Sequence, residues 1–171
     1  GYQAAHHLNL AHGKAVQAIR AGSARPTRVG YAPVGVNFIP ASSSPADIEA
    51  ARRRTFMVRP ASFWNNTWWS DPIFFGRYPE DGLALFGRNA PLIKPGDMET
   101  IAQPIDFYGV NIYQGTRVRA GDDGQPEEIP YEAGWPMSLM YWYITPESLY
   151  WAPRFLFERY QKPIYMMENG I

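Results

Sequence analysis

The residues best suited to catalysis lie in the sequence YMMENGI, Tyr165–Ile171. An apolar run over residues 164–167, which indicates a buried strand, leads directly to one carboxylate, Glu168, and the pair Asn169-Gly170 then breaks the extended run. In parallel α/β barrels the catalytic groups lie at the C-terminal ends of strands. The pattern therefore favours Glu168 as a catalytic acid, and the alternative is a solvated loop carboxylate, because acids are rarely buried.

A second run, IDFYGVNIY at Ile105–Tyr113, is typical of a strand with polar groups near its end. Residues two apart in a strand share a face, so we expect Asn111 and Tyr113 to point the same way. Asp106 precedes Asn111 by five residues, or roughly 17 Å at the rise of an extended strand. We therefore expect Asp106 to be a structural acid at the opposite end.

The charge balance excludes several classes of partner. Lys+Arg 16 equals Asp+Glu 16, so no basic surface indicates a nucleic-acid or membrane partner. No apolar run approaches the ~20 residues of a membrane span. Cysteine is absent, which excludes disulfides and thiolate metal sites and fits a cytoplasmic location without fixing it. The 15% of aromatic residues suits sugar binding and core packing equally well.

The elements that position these groups alternate between helices and strands. We predict helices at Tyr2–Ala21, Pro45–Val58, Ala61–Trp69 and Pro146–Tyr160, and a helical turn at Met98–Ile101. We predict parallel strands at Thr27–Ala32, Ile105–Tyr113 and Ile164–Met167, with Val29–Ala32 and Phe107–Asn111 as the paired parts of the first two. This order indicates an α/β fold, although three strands fit an open sheet as well as part of a barrel.

The connecting segments are predicted from their proline, glycine and polar content. Residues 34–44 are expected to be a loop, and the region 121–130 a surface hairpin or excursion. Turns are predicted at Asp71-Pro72 and at Gly76. The three histidines of the first helix, His6, His7 and His12, are expected to be structural, because a metal site would need further ligands.

The chain resembles glycoside hydrolase family 1, the β-glucosidase family, through five motifs in the family's order. The motifs are AAHHLNLAHGKAV (Ala4–Val16), WWSDPIFFGRYP (Trp68–Pro79), IDFYGVNIY (Ile105–Tyr113), WYITPESLY (Trp142–Tyr150) and YQKPIYMMENGI (Tyr160–Ile171). The resemblance implies a (β/α)₈ TIM barrel that hydrolyses β-glycosides with retention, using two glutamates and no cofactor or metal.

The resemblance also implies roles for four residues. Glu168 matches the nucleophile of the family's E-N-G motif, and Tyr113 the hydroxyl that orients the nucleophile. Asn111 matches a polar residue near the glycone subsite, and Trp142 the aromatic wall on the aglycone side. Pro33 and Gly35 depart from the family pattern at the end of the first predicted strand, which puts any sugar contact there in doubt.

The family's acid/base glutamate lies in an Asn-Glu-Pro motif, and this sequence contains no such tripeptide. We therefore expect residues 1–171 to be an internal portion of the catalytic barrel. It would hold about strands five to seven with the helix preceding strand five, and lack strands one to four and strand eight.

The expected function is retaining hydrolysis of β-glycosidic bonds in the intact protein, with this chain inactive and poorly folded by itself. The expected partners are a β-glucoside or related β-glycoside substrate and the remaining segments of the same barrel. The alternatives are a non-catalytic carbohydrate binder built on the same face, and a structural fragment of such a barrel.

Overall fold

The computed structural model describes residues 1–170. Ile171, the last residue of the sequence Tyr165–Ile171 considered above, lies outside the described residues. The chain forms two compact units. The first unit consists of Gly1–Tyr31 and Met57–Phe107, and the second of Ala32–Phe56 and the chain from Tyr108 onward. None of the helices formed by residues 1–170 is both long and apolar enough for a membrane span.

The described residues form six α-helices, six strands and a short 3₁₀ turn at Gly87–Asn89, in agreement with the predicted α/β class. The helices are α1 Tyr2–Gly22, α2 Pro45–Phe56, α3 Asn66–Phe75, α4 Glu80–Phe86, α5 Asp97–Ile101 and α6 Ser148–Tyr160. The strands are β1 Gly30–Tyr31, β2 Asn37–Pro40, β3 Phe107–Asn111, β4 Gly115–Ala120, β5 Pro126–Ile129 and β6 Ile164–Glu168. Residues 1–170 do not close a barrel.

The first unit is built around α1, whose buried positions recur at helical spacing. They are Ala5, His6, Asn9, Gly13 and Val16. Gly13 allows a close approach to α5, because a Cβ atom at Gly13 would lie only 1.9 Å from the Thr100 carbonyl oxygen. Val16 then packs in one apolar cluster with Ile101 and Ile105.

The aromatic segment of the first unit differs from its prediction. The helix predicted over residues 61–69 is wrong, because α3 begins at Asn66 and continues to Phe75 through the turn predicted at Asp71-Pro72. Most of α3 is buried, and this packing offsets the hydrogen bond that Pro72 cannot donate. The predicted stop at Gly76 is confirmed, with a left-handed φ of 68° and an N–H bonded to the Pro72 carbonyl.

The second unit contains a sheet that the sequence did not reveal. Residues 34–44 were predicted to be a loop, but β2 lies there and pairs in parallel with β4, with Asn37 opposite Gly115. β4 continues into an antiparallel hairpin with β5, which confirms the predicted surface hairpin and extends it. Phe38 of β2 is buried with Phe155 of α6, so this side of the sheet is a core face.

The parallel arrangement of the strands that carry the polar groups is confirmed. β3 pairs in parallel with β6, from Tyr108 opposite Ile164 to Asn111 opposite Glu168, with an irregularity after Val110. Val34, after β1, forms a parallel bridge with Asn111. β1 is shorter than the predicted Thr27–Ala32.

Candidate active site

The candidate active site lies in the second unit, where β3 and β6 end side by side. Asn111 and Glu168 are register partners, so parallel pairing brings both predicted polar residues to one edge. The expectation that β6 is buried is wrong, since Tyr165, Met166 and Met167 are about half exposed. β6 pairs only with β3 among the described strands, so its other edge is unpaired within these residues.

Tyr113 and Glu168 are in direct contact across the two strand ends. The Tyr113 hydroxyl donates a hydrogen bond to Glu168 Oε2. This bond raises the pKa of Tyr113, and burial and the carboxylate's negative charge act in the same direction. The structure thus brings together the two residues predicted from the E-N-G motif and the strand end, and their chemical roles stay predictions.

Two hydrogen bonds with the Ile112 main chain fix the chain immediately after the Glu168 side chain. The Ile112 N–H donates to the Glu168 carbonyl over 2.9 Å, and Asn169 Nδ2 donates to the Ile112 carbonyl over 2.7 Å. The sequence prediction used Asn169 only as a turn former. An asparagine after a strand indicates a side chain that bonds a backbone group, because asparagine side chains readily do so where a strand ends. The sequence could not identify the partner, since Ile112 lies 57 residues earlier in the chain.

Trp142 lies against the same tyrosine. Its ring is 4.9 Å from that of Tyr113, at an interplanar angle of 35°. The Trp142 N–H donates to Ser138 Oγ over 3.3 Å, and the next N–H, from Tyr143, donates to Gln114 Oε1 over 3.1 Å. Ser138 and Gln114 therefore fix the backbone at Trp142 and Tyr143. The sequence prediction missed both residues, because polar loop residues show no periodic pattern.

Asn111 is buried, and its Oδ1 has no hydrogen-bond partner within the part of the chain that the structure describes. Its main chain is fully engaged, since its N–H donates to Pro33 and its carbonyl accepts from Gly35. An unpaired buried acceptor is costly, which makes this oxygen suited to a ligand hydroxyl. Gly35 is needed here because a Cβ atom would lie 2.8 Å from Val110 Cγ2.

Asp106 and His6, which the sequence also singled out, have structural partners in the first unit. Asp106 accepts from the Val29 N–H over 2.8 Å and pairs with Arg20, as expected of a structural acid. His6 is fully buried between the Tyr78 hydroxyl and Asp97, at 3.0 Å from each. Residues 1–170 contain no group of three or more His, Cys, Asp or Glu side chains arranged for a metal ion.

The fold and site together define a segment of an α/β protein that fixes one carboxylate, with a tyrosine partner, at the end of a parallel strand. A family model described as Glycosyl hydrolase family 1 matches residues 1–171. The chain belongs to glycosyl hydrolase family 1, as its motifs indicated.

Individual relatives agree with this assignment. The chain is 33% identical to a β-glucosidase of Agrobacterium sp. over 98% of its own length, and 34% identical to β-glucosidase A of Thermotoga maritima over 99%. Among solved structures it is similar to virulence factor SghA of Agrobacterium tumefaciens bound to the substrate analog salicin, with a TM-score of 0.73, 32% identity and 98% of the chain covered. It is equally similar to the Thermotoga maritima β-glucosidase in complex with glucoimidazole, with a TM-score of 0.72, 32% identity and 96% covered.

The chain spans only about a third of the length of these relatives, since each match covers 36% of the relative. These neighbours are TIM barrels of family 1, and the described residues correspond to an α/β part of such a barrel.

Proposed function

We propose that this chain is part of the catalytic domain of a β-glucosidase that hydrolyses β-glycosidic bonds with retention. The observation that carries the proposal is the contact between Tyr113 and Glu168 at the adjoining ends of two parallel strands. Barrel enzymes build their catalytic sites at this end of the strands. The β-glucosidases with which the chain shares about a third of its residues support the choice of substrate class.

In this proposal β1, β3 and β6 are strands five, six and seven of the barrel, and α1 is the helix that precedes strand five. The rest of the intact protein supplies strands one to four, strand eight and the acid/base glutamate. Retaining hydrolysis needs that second carboxyl group about 5–5.5 Å from the nucleophile. Residues 1–171 thus hold half of the catalytic pair, and we expect no turnover from them alone.

Glu168 acts as the nucleophile. One carboxylate oxygen attacks the anomeric carbon while the acid/base glutamate protonates the departing glycosidic oxygen, and a covalent glycosyl-enzyme forms. Water, deprotonated by the same glutamate, then attacks the anomeric carbon and releases both the sugar and the Glu168 carboxylate. Tyr113 holds Oε2 by its hydrogen bond, which fixes the side-chain rotamer before the substrate arrives.

The neighbouring groups bind the substrate on either side of the scissile bond. Asn111 Oδ1, unpaired and buried at the strand end, accepts a hydrogen bond from a glycone hydroxyl. The Trp142 ring, packed on Tyr113, provides a flat apolar surface for the aglycone. Both contacts would help to orient the anomeric carbon toward Glu168.

The test is mechanism-based labelling of the full-length protein. A 2-deoxy-2-fluoro-β-glucoside with a good leaving group slows the second step, so the covalent intermediate accumulates and peptide mass mapping locates it. We expect the label on Glu168, and we expect Glu168→Gln to lose turnover and labelling while still binding the sugar. Glu99→Gln, a change at an exposed glutamate of α5, is the matched control and should keep both.

A label on another residue, or full activity in Glu168→Gln, would refute the nucleophile assignment. Saturable glucoside binding without any labelling or turnover would instead favour the non-catalytic carbohydrate binder.

A further inference from the structure

A cavity of about 440 Å³ lies in the second unit. Its size falls within the range of small-molecule sites. The residues that give it chemical character are Ile39, Arg117, Tyr131, Glu132, Trp135 and Glu147. None of the four residues proposed to contact substrate or nucleophile lines it.

The aromatic wall of this cavity is held rigidly. The Tyr131 and Trp135 rings lie 4.9 Å apart at an interplanar angle of 47°. Each is tied to the backbone, because the Tyr131 hydroxyl donates to the Gly115 carbonyl over 2.7 Å and Trp135 Nε1 donates to the Ile144 carbonyl over 3.0 Å. Burial raises the pKa of Tyr131 to about 12, so the phenol keeps its proton and this bond at neutral pH. A ligand can therefore stack here with little further ordering of the rings.

The charged side chains of the cavity are not paired with one another. Arg117, Glu132 and Glu147 form no ion pair or side-chain hydrogen bond within residues 1–170, and so their hydrogen-bonding capacity is open to a ligand. Arg119, two residues along the same strand β4, differs because it pairs with Glu127. Carboxylate and guanidinium groups beside aromatic faces are suited to a ligand with many hydroxyls.

The charge of the lining narrows the ligand class. One arginine and two glutamates leave the cavity with a net negative charge, which disfavours a phosphorylated or acidic sugar. A purely apolar ligand would bury these charged groups without partners, at a high cost. A neutral sugar meets neither penalty, because its apolar C–H face stacks on the rings while its hydroxyls bond the charged groups.

The cavity adjoins the candidate active site through one short segment. The Tyr131 ring packs on that of Tyr143 at 4.4 Å. Tyr143 directly follows Trp142, whose ring lies on Tyr113. Ring contacts through Tyr143 and Trp142 therefore link the two sites within the second unit.

We propose that this cavity is a second saccharide-binding site, which holds a neutral pyranose on Tyr131 and Trp135 with hydroxyls bonded to Arg117, Glu132 and Glu147. The pyranose is either a distal unit of an oligosaccharide substrate or a free sugar. The first source rests on the proposed function, and the second does not.

The experiment measures binding to the full-length protein whose active site has been blocked by the 2-fluoro glucoside, with Glu168→Gln as an inactive form in which both sites stay open. Glucose, cellobiose and cellotriose are titrated by calorimetry and by saturation-transfer NMR. We expect one saturable site to persist after blocking, and Trp135→Ala to weaken it about tenfold or more. Trp135→Phe keeps an aromatic face and should retain most of the binding, and Arg117→Met should weaken it while leaving the rings in place.

The two sources give different results. If the site holds a distal substrate unit, Trp135→Ala lowers kcat/KM for cellotriose but not for a small aryl glucoside. If the site holds a free sugar, glucose binds the blocked protein. In that case Trp135→Ala changes kcat/KM for cellotriose and for the aryl glucoside equally, or changes neither.

Thermal denaturation of each variant checks that the fold is kept. If Trp135→Ala is unstable, the two single variants Trp135→Phe and Arg117→Met are compared instead. Loss of all sugar binding on blocking, or undiminished binding in both Trp135→Ala and Arg117→Met, would overturn the proposal. In the Glu168→Gln background, Trp135→Ala should weaken one of two sugar sites without any labelling, so this result can be read even if the proposed hydrolysis fails.

Discussion

Replacement of Asn169 by alanine removes the side chain that ties the segment after Glu168 to the end of β3. In the structure Asn169 Nδ2 donates to the Ile112 carbonyl over 2.7 Å, while the Ile112 N–H holds the Glu168 carbonyl. Asn169 contacts neither the carboxylate nor Tyr113 through this bond. We therefore expect it to be a positioning residue for the nucleophile.

The size of the effect follows from the bond that is lost. A neutral hydrogen bond contributes about 1 kcal/mol net, and a buried carbonyl left without a partner costs about 1–3 kcal/mol. Ile112 is completely buried, so its carbonyl falls within this range of about 1–3 kcal/mol. At 1.4 kcal/mol for each factor of ten, kcat/KM should fall by about 5- to 150-fold. The loss should appear in kcat, because the bond aligns the carboxylate for attack and does not bind the sugar.

The assay is the rate of covalent labelling by the 2-fluoro glucoside in the full-length protein, together with kcat and KM for an aryl glucoside. Asn169→Asp is the matched variant, since it keeps the size of the side chain but lacks the N–H donor. Asn89→Ala, at an exposed position of a 3₁₀ turn, is the control. An unchanged labelling rate in Asn169→Ala would refute the positioning role, and a loss as large as that of Glu168→Gln would place Asn169 in contact with the substrate.

Three further predictions test other parts of the structure. Tyr113→Phe should lower the labelling rate less than Glu168→Gln does. NMR of labelled tyrosine should show the raised pKa of Tyr113 falling toward its usual value in Glu168→Gln, because both the hydrogen bond to the carboxylate and its negative charge are gone. Gly13→Ala should destabilise the protein by about 1–3 kcal/mol, since its Cβ would overlap the Thr100 carbonyl, whereas Gly22→Ala in open space should not; urea denaturation measures both. The hydrogen bonds from Ser42 and the Ala120 N–H lower the pKa of Asp47, so its contribution to stability is present above the usual aspartate pKa and is lost as the pH falls through the lowered value. The difference in urea midpoint between the wild type and Asp47→Asn should therefore be larger at pH 7 than at pH 3, and equal differences would contradict this linkage.

The sequence by itself determined the elements whose residues repeat with a regular local period. The ends of α1 and α2 lie within two residues of their predicted positions. An apolar position every three or four residues marked α1, and Ser44-Pro45 followed by acids in the first turn marked the start of α2. β3 and β6 were recognised as continuous extended runs, and the end of β6 was marked by the Asn-Gly pair. Local pattern also placed Glu168 and Tyr113 at strand ends, although the family motif was needed to give them roles.

Only the tertiary structure decided the features that depend on partners far along the chain. β2 is a strand because Asn37 and its neighbours pair with β4, nearly eighty residues later, and no local signal records such a partner. α3 continues through Pro72 because burial outweighs the local tendency to turn. The bond from Asn169 to Ile112 and the cavity lined by Tyr131 and Trp135 likewise join separate segments. A periodic pattern reports which face of an element is apolar, whereas hydrogen-bond partners and cavities arise only when distant segments meet.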